Sequence, residues 1–335
     1  NAVGLLHEEM RRLGSLILMI ADETKVPAGG ALAVDREGFS KCVTEKILSH
    51  PNIEVVYGEI TEIPKAEYII IATGPLTSDA FSQAISNMIG QDYLSFFDAA
   101  APLVSADSID MEHAFFASRY DKSGADYINC PMSKEEYEIF YEALISAEEA
   151  PLKEFETLKV FEGCMPVEVM AKRGKETLLF GMLKPVGLPD PKIGKIPYAV
   201  LQLRQDNKEK TVYNLVGFQT HLKFSEQKRV FSLIPALKNA EFLRYGVMHR
   251  NTYINSPMLL DNTYALRSNP KVYFAGQITG VEGYVESAAS GLYAGMSLGR
   301  KLLGLRPIAL SGKTAIGALA NYVSGSALGE FQPMN

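Results

Sequence analysis

Apolar residues recur at helical spacing near the start of the chain, at Leu5, Leu6, Met10, Leu13, Leu16 and Ile17, and predict a helix over residues 4–20. Pro27-Ala28-Gly29-Gly30 interrupts the pattern as a loop, and Asp35 is placed to cap a second helix through Phe39, Val43 and Ile47. Asn52 to Tyr57 reads as a short strand and Glu67 to Ala72 as a richer one. Within the latter, Tyr68-Ile69-Ile70-Ile71-Ala72 is almost continuously apolar, as expected of a parallel strand buried on both faces, and it runs directly into Thr73-Gly74-Pro75. Ser78 then caps a helix through Ala80, Phe81 and Ile85.

The pattern changes near Phe96. From about Asp98 to Gly246 the chain is richer in Glu, Lys and Tyr. Ser133-Lys134-Glu135-Glu136 has the form of a capping box, in which the first hydroxyl and the last carboxylate each satisfy a backbone amide at a helix start. Val200 to Leu203 and Thr211 to Val216 alternate as strands do. Beyond this region Lys271-Val272-Tyr273-Phe274-Ala275-Gly276 is another buried strand ending in a tight turn, followed by a long helix of small residues over about Gly283 to Leu303. The first and last parts share parallel-strand character and the middle does not. The expected arrangement is an α/β nucleotide-binding domain built from residues 1–97 and 248–335, interrupted by an α+β insertion domain over 98–247.

At 335 residues the chain is too long for one ordinary core, and 47% hydrophobic with 21% charged residues is an ordinary globular composition. No apolar run is long enough to span a bilayer. The opening Asn1-Ala2-Val3-Gly4 has neither a signal peptide's basic region nor an initiator Met, so a trimmed chain is expected. Three cysteines, Cys42, Cys130 and Cys164, without CxxC or His pairing, fit neither a disulfide framework nor a zinc site and agree with a reducing, cytoplasmic compartment. The net charge of −6 argues against an extended nucleic-acid surface, so any RNA site must be a local basic patch. Lys172-Arg173 with Lys175, and Lys223 with Lys228 and Arg229, are the candidates, although such runs are commonly solvated faces.

Two stretches point to a bound cofactor. Ala72-Thr73-Gly74 brings backbone to the carboxyl end of a strand, where open α/β sheets hold ligands. The plainer alternative is a strand followed by a Gly turn. Gly276-Gln277 and Gly280-Val281-Glu282-Gly283-Tyr284-Val285-Glu286 link a strand through a glycine loop to a helix N-terminus, whose amides favour a phosphate or a reduced flavin's oxygen. A helix packed closely for structural reasons is the alternative here; its face carries Ala288, Gly291, Ala294 and Gly295. Together the two stretches look like the second and last FAD signatures of two-dinucleotide-type flavoproteins, which makes the expected fold an FAD-binding, Rossmann-like, GidA-related one. The opening Gly-x-Gly-x-x-Gly of such proteins has no match in residues 1–30.

Longer stretches carry a more specific resemblance. NAVGLLHEEM (Asn1 to Met10), PAGGALAVDR (Pro27 to Arg36), DYINCPM (Asp126 to Met132), FEGCMPVE (Phe161 to Glu168), MHRNTYINSPML (Met248 to Leu259) and FAGQITGVEGYVESAASG (Phe274 to Gly291) resemble the TrmFO family. These are the methylenetetrahydrofolate–tRNA-(uracil-5-)-methyltransferases, or small Gid proteins, which also carry an N-terminal segment with the Gly-rich loop. The resemblance implies FAD reduced by NAD(P)H, and a one-carbon unit passed from methylenetetrahydrofolate by way of the reduced flavin to carbon 5 of a T-loop uridine in tRNA. It implies that Cys164 is the catalytic cysteine, that Gly29 and Gly30 lie near the flavin, and that Tyr284 stacks on its ring. The alternative for Tyr284 is a packed helix-start aromatic. Carbon 5 of uracil is a poor nucleophile, and a thiolate added at carbon 6 makes it an enolate; Glu162 opposes that thiolate, so its activating cation is not visible. His249, Arg250 and Asn251 face the pterin and glutamate tail of folate on this reading, or else form a solvated crossover strand. Cys42 reads as core and Cys130 as structural.

Two other readings stand beside the enzyme: a relative acting on the tRNA wobble uridine, and a non-catalytic RNA-binding fragment of the FAD fold. The larger Gid relatives extend into a long helical C-terminal domain, and this chain stops soon after Ala315 to Val323. A homodimer is left open.

Overall fold

In the computed structural model the residues described are 3–28, 30–91, 93–121, 125–151, 165–326 and 331–334. Contacts divide the chain into two units, one of Asn1–Ile20, Glu45–Phe96 and Arg250–Asn335, the other of Ala21–Thr44 and Phe97–His249. The chain passes between them inside two strands, Leu94–Ala99 and Met248–Tyr253, which pair with each other. Residues 21–44, placed with 1–97 by the sequence pattern, fall in the second unit. Tertiary bonds explain this: the Tyr127 hydroxyl donates to the Ala28 carbonyl (2.9 Å), and Arg36 pairs with Asp206 (3.1 Å).

The first unit is built on a three-stranded sheet in the order Ala265–Leu266, Asn269–Phe274, Ile69–Ile71. The last two strands run parallel, with Val272 beside Ile69, Tyr273 beside Ile70 and Phe274 beside Ile71. Because Ile69–Ile71 is the edge strand, Ile70 is 40% exposed, and the expected burial on both faces does not hold. The expected helix over 4–20 is two helices, Val3–Arg12 and Leu16–Glu23, separated where Gly14 takes a left-handed φ of +72°. Asn52 to Tyr57 forms no strand; Val56 and Tyr57 are 79% and 80% exposed, and extended residues without a pairing partner or a face to pack have nothing to hold them in a sheet. Ser78 does cap Asp79–Ile89, accepting from the Phe81 amide.

One long-range contact ties the ends of this unit. The Glu9 carboxylate accepts from the Ala315 and Ile316 amides (2.9 and 3.0 Å) and so caps the helix Ala315–Asn321 alongside its own Thr314 hydroxyl. An anionic acceptor on two first-turn amides satisfies orphan donors and opposes the positive helix end. Glu9→Ala is expected to lower stability by about 1–2 kcal/mol, read as a fall in thermal midpoint. No fall would show that Thr314 suffices.

The second unit is a six-stranded antiparallel sheet in the order Phe242–Arg244, Leu103–Ser105, Val212–Leu215, Ala199–Gln205, Tyr127–Met132, Phe115–Ala117. The capping box forms as its sequence dictates: the Ser133 hydroxyl accepts from the Glu136 amide and Glu136 accepts from the Ser133 amide. It starts the helix Lys134–Ile145, whose buried Tyr137, Phe140, Tyr141 and Leu144 share a core with Cys130, Leu201 and Leu203. Val230 and Phe231 of a second helix, Phe224–Phe231, complete that core. Cys130 is fully buried, and burial pushes its thiol up beyond the range in which a thiolate forms. Cys42 is only half-buried, on a helix (Arg36–Leu48) with no buried residue, so it is not the core residue expected.

Candidate functional site

The parallel register fixes the geometry of the first unit's open edge. With Ile71 beside Phe274 and the Ala275 amide donating to the Ile71 carbonyl (3.0 Å), Ala72-Thr73-Gly74 and Gly276-Gln277 leave the sheet side by side at its carboxyl end. Gly74 and Gly276 turn the chain there with φ of +74° and +76°, a backbone that L side chains rarely adopt, and a Cβ at either would meet nothing within 4 Å. Open space beside exposed backbone at two adjacent strand ends is a cradle for a flat group.

A set of hydrogen bonds holds these turns. The Ser290 hydroxyl accepts from the Gly276 amide (2.7 Å), and the Gly276 carbonyl accepts from the Thr279 hydroxyl (2.8 Å). Gln277 donates to the Glu282 carbonyl (3.2 Å) and Ser287 to the Val281 carbonyl (2.9 Å), fastening the glycine loop to the helix Tyr284–Leu302. That helix begins at Gly283 with no side-chain cap, so its positive end faces outward past Tyr284, which is 85% exposed, and the half-buried Val285. A Cβ on Gly283 would fall 2.0 Å from a Glu286 carboxylate oxygen, so any other residue there would displace that side chain. Gly291 and Gly295 pack on nothing within 4 Å of a built Cβ; the buried face is Ala289, Ser290, Tyr293, Ala294, Ser297 and Leu298, which corrects the expected small-residue face.

The strand Met248–Tyr253 joins both turns. Thr252 donates through its amide and its hydroxyl to the Pro75 carbonyl (3.0 Å each), and the Ile254 amide donates to the Ile278 carbonyl (2.9 Å). Arg250 and Asn251 therefore run next to the two turns, with Asn251 buried at 3% exposure. Neither Thr252 nor Ser290 stood out in the sequence. Their signal is weak: a hydroxyl inside an apolar strand and another in a small-residue helix.

The other expected residues belong to the second unit or fall outside the described residues. Gly30 is an exposed turn residue of the second unit, and His249 ends that unit's share of its strand. Gly29 and Cys164 lie outside the described residues. Most of the expected basic patch is charge-compensated: Lys172 pairs with Glu149, Lys175 with Glu138 (2.8 Å), Lys223 with Glu148 (2.5 Å) and Arg229 with Glu226 (2.6 Å). Arg173 is exposed, and Lys228 forms no ion pair among the described residues. One buried acid was also missed. Glu168 has no exposed surface and accepts from the His221 amide (2.6 Å) and the Thr220 hydroxyl (2.9 Å), while burial holds its carboxyl above the usual range.

Known proteins match this chain along its length. The family model for glucose inhibited division protein A matches residues 1–306. The methylenetetrahydrofolate–tRNA-(uracil-5-)-methyltransferase TrmFO of Heliobacterium modesticaldum is 64% identical over 335 residues, 100% of this chain and 76% of that protein. The chain belongs to the TrmFO family. TrmFO of Acetivibrio thermocellus is 63% identical over the same 335 residues, covering 77% of its own length. In three dimensions this TrmFO chain resembles Aquifex aeolicus GidA in its form II crystal, with a TM-score of 0.72 at 14% identity, over 96% of this chain and 59% of that one. At that identity the likeness establishes the fold, and the α/β, GidA-type FAD-binding fold read from the sequence is the one observed. No helix among the described residues is long and apolar enough to cross a membrane.

Proposed function

We propose that this TrmFO chain forms 5-methyluridine in the T-loop of tRNA. The observation that carries the reading is the convergence of Thr73-Gly74, Gly276-Gln277 and the uncapped start of Tyr284–Leu302 on one open edge, in a chain 64% identical to a TrmFO methyltransferase. The cradle fits FAD: Ala72, Thr73, Gly74, Gly276 and Gln277 offer close backbone, and the first turn at Gly283, Tyr284 and Val285 favours an electron-rich edge of the ring. When bound, FAD supplies reducing equivalents from NAD(P)H, and methylenetetrahydrofolate supplies the carbon. Tyr284, exposed beside the cradle, covers the ring or an aromatic partner.

His249, Arg250 and Asn251 recognise folate in this reading, Arg250 by pairing with its carboxylates, and the ties from Thr252 and Ile254 keep that strand beside the cradle. Cys164 is the nucleophile that activates the uridine. Gly29 and Gly30 approach the flavin, and Lys172 and Arg173 touch RNA phosphate. The setting is cytoplasmic.

The test is direct. Purified full-length protein is expected to be yellow and to methylate a T-arm RNA minihelix only when methylenetetrahydrofolate and reduced nicotinamide are both present. Flavin without methylation would leave the fold assignment and remove the activity. Methylation of an anticodon-arm RNA instead would favour the wobble-uridine relative.

A further inference from the structure

The second unit holds a cleft of about 460 Å³, lined by Ala150, His221, Leu222, Lys223, Phe224 and the segment Gly246 to Met248. That size suits one small planar ligand. Three features show that it is built rather than incidental. Gln227 has no exposed surface and joins its two walls, donating to the Leu222 carbonyl (2.7 Å) and the Gly246 carbonyl (2.8 Å) and accepting from the Gly246 amide (2.7 Å). Gly246 allows that approach, since a Cβ there would fall 2.5 Å from Thr220 and 2.6 Å from the Ala100 carbonyl. Glu168 holds the lining residue His221 through its amide, and Thr220 beside it through its hydroxyl.

Three rings lead into the cleft. Phe242 stacks on Tyr245 (5.6 Å, 11°) and Tyr245 on Phe224 (4.9 Å, 14°). The ladder ends at Phe224, which is 54% exposed. A large aromatic held face-on by Tyr245, itself backed by Phe242, and open at the cleft, is a stacking platform. His221 also lines the cleft, and its Nε2 is buried with no hydrogen-bond partner among the described residues, a cost that the polar edge of a flat heterocycle would remove. Around the platform Lys223 is paired with Glu148 and Arg229 with Glu226, which leaves Lys228 as the cation of the helix Phe224–Phe231 without an ion pair among the described residues. Phe224 opens that helix, which has no side-chain cap, and Lys228 is four residues on and so on the same face.

We propose that this cleft binds one unpaired nucleotide of the RNA substrate, its base stacked on Phe224 and bonded to His221, its phosphate beside Lys228. Stacking on a ring with an adjacent cation is how proteins hold single-stranded nucleotides, and it lets a chain of net charge −6 bind RNA through one local site. The proposal rests on the tRNA activity above and adds a subsite to it.

This chain contains no Trp, so Phe224→Trp installs on the platform a reporter that keeps a stacking ring, read as the fluorescence difference between the full-length variant and its parent. Adding the T-arm minihelix is expected to quench its fluorescence, while methylenetetrahydrofolate alone leaves it unchanged. Phe224→Ala is expected to weaken minihelix binding by about 5- to 100-fold, with flavin content and flavin reduction unaffected. Lys228→Ala is expected to reduce the slope of log affinity against log salt by about 0.7. A parent that binds and methylates RNA while F224A binds equally well overturns the subsite alone. Quenching by folate without RNA assigns the cleft to the pterin and also overturns it. A parent that neither binds nor methylates the minihelix sinks the proposed function, and the subsite with it.

Discussion

Cys164→Ala is expected to cut uridine methylation by about 10⁴-fold or more while the protein stays yellow and its flavin is still reduced by NAD(P)H. The reasoning starts from the base. Carbon 5 of uracil acquires nucleophilic character only when a thiolate has added at carbon 6, so removing the sulfur removes the reactive species rather than weakening a contact. The other two cysteines of this chain are poor substitutes. Cys130 is sealed in the core of the second unit, where desolvation disfavours its thiolate, and Cys42 is half-buried on a helix remote in sequence from the family's FEGCMPVE motif. Single-turnover methylation of the minihelix, with the flavin spectrum recorded on the same sample, separates chemistry from cofactor binding. Undiminished methylation by the variant would take Cys164 out of the mechanism.

Gln227→Leu is expected to destabilise the second unit by about 3–5 kcal/mol. Leucine has nearly the same volume but no polar atoms. It leaves the Gly246 amide and the carbonyls of Leu222 and Gly246 without the partner that Gln227 supplies to all three. Gln227 is fully buried, so water cannot replace those bonds without opening the packing around Val230 and Phe231. Urea unfolding followed by circular dichroism measures the loss. A change below about 1 kcal/mol would mean that these groups find other partners.

What the sequence made legible was whatever short-range chemistry decides. The capping box at Ser133, the Ser78 cap and the strand–loop–helix over Lys271 to Leu302 each depend on residues within a few positions of one another, and each formed as read. The two flavin-edge strands were legible because continuous apolar runs ending in glycine have few other uses. Most of the failures involve distant partners or their absence. Asn52 to Tyr57 has strand composition but nothing to pair with among the described residues. Residues 21–44 belong with the second unit because Tyr127 and Arg36 bond across long stretches of chain. The lysines of the basic runs found carboxylates 23, 37 and 75 residues away, which no local pattern shows. The helix over 4–20 failed differently: apolar periodicity continued through Gly14 although the backbone did not. In the site, the turns were readable and their supports were not, since Ser290, Thr252 and Glu168 act through backbone groups remote in sequence.

The parallel pairing of Ile69–Ile71 with Asn269–Phe274 has a consequence for biosynthesis. The first of these strands leaves the ribosome long before the second, and everything between them must be made while it waits. Bringing such distant segments together is entropically costly until the intervening chain has collapsed into its own unit and shortened the effective loop. The two-sided cradle is therefore among the last features to assemble, and a nascent chain interrupted before Gly276 lacks one of its two sides however well its earlier parts have folded.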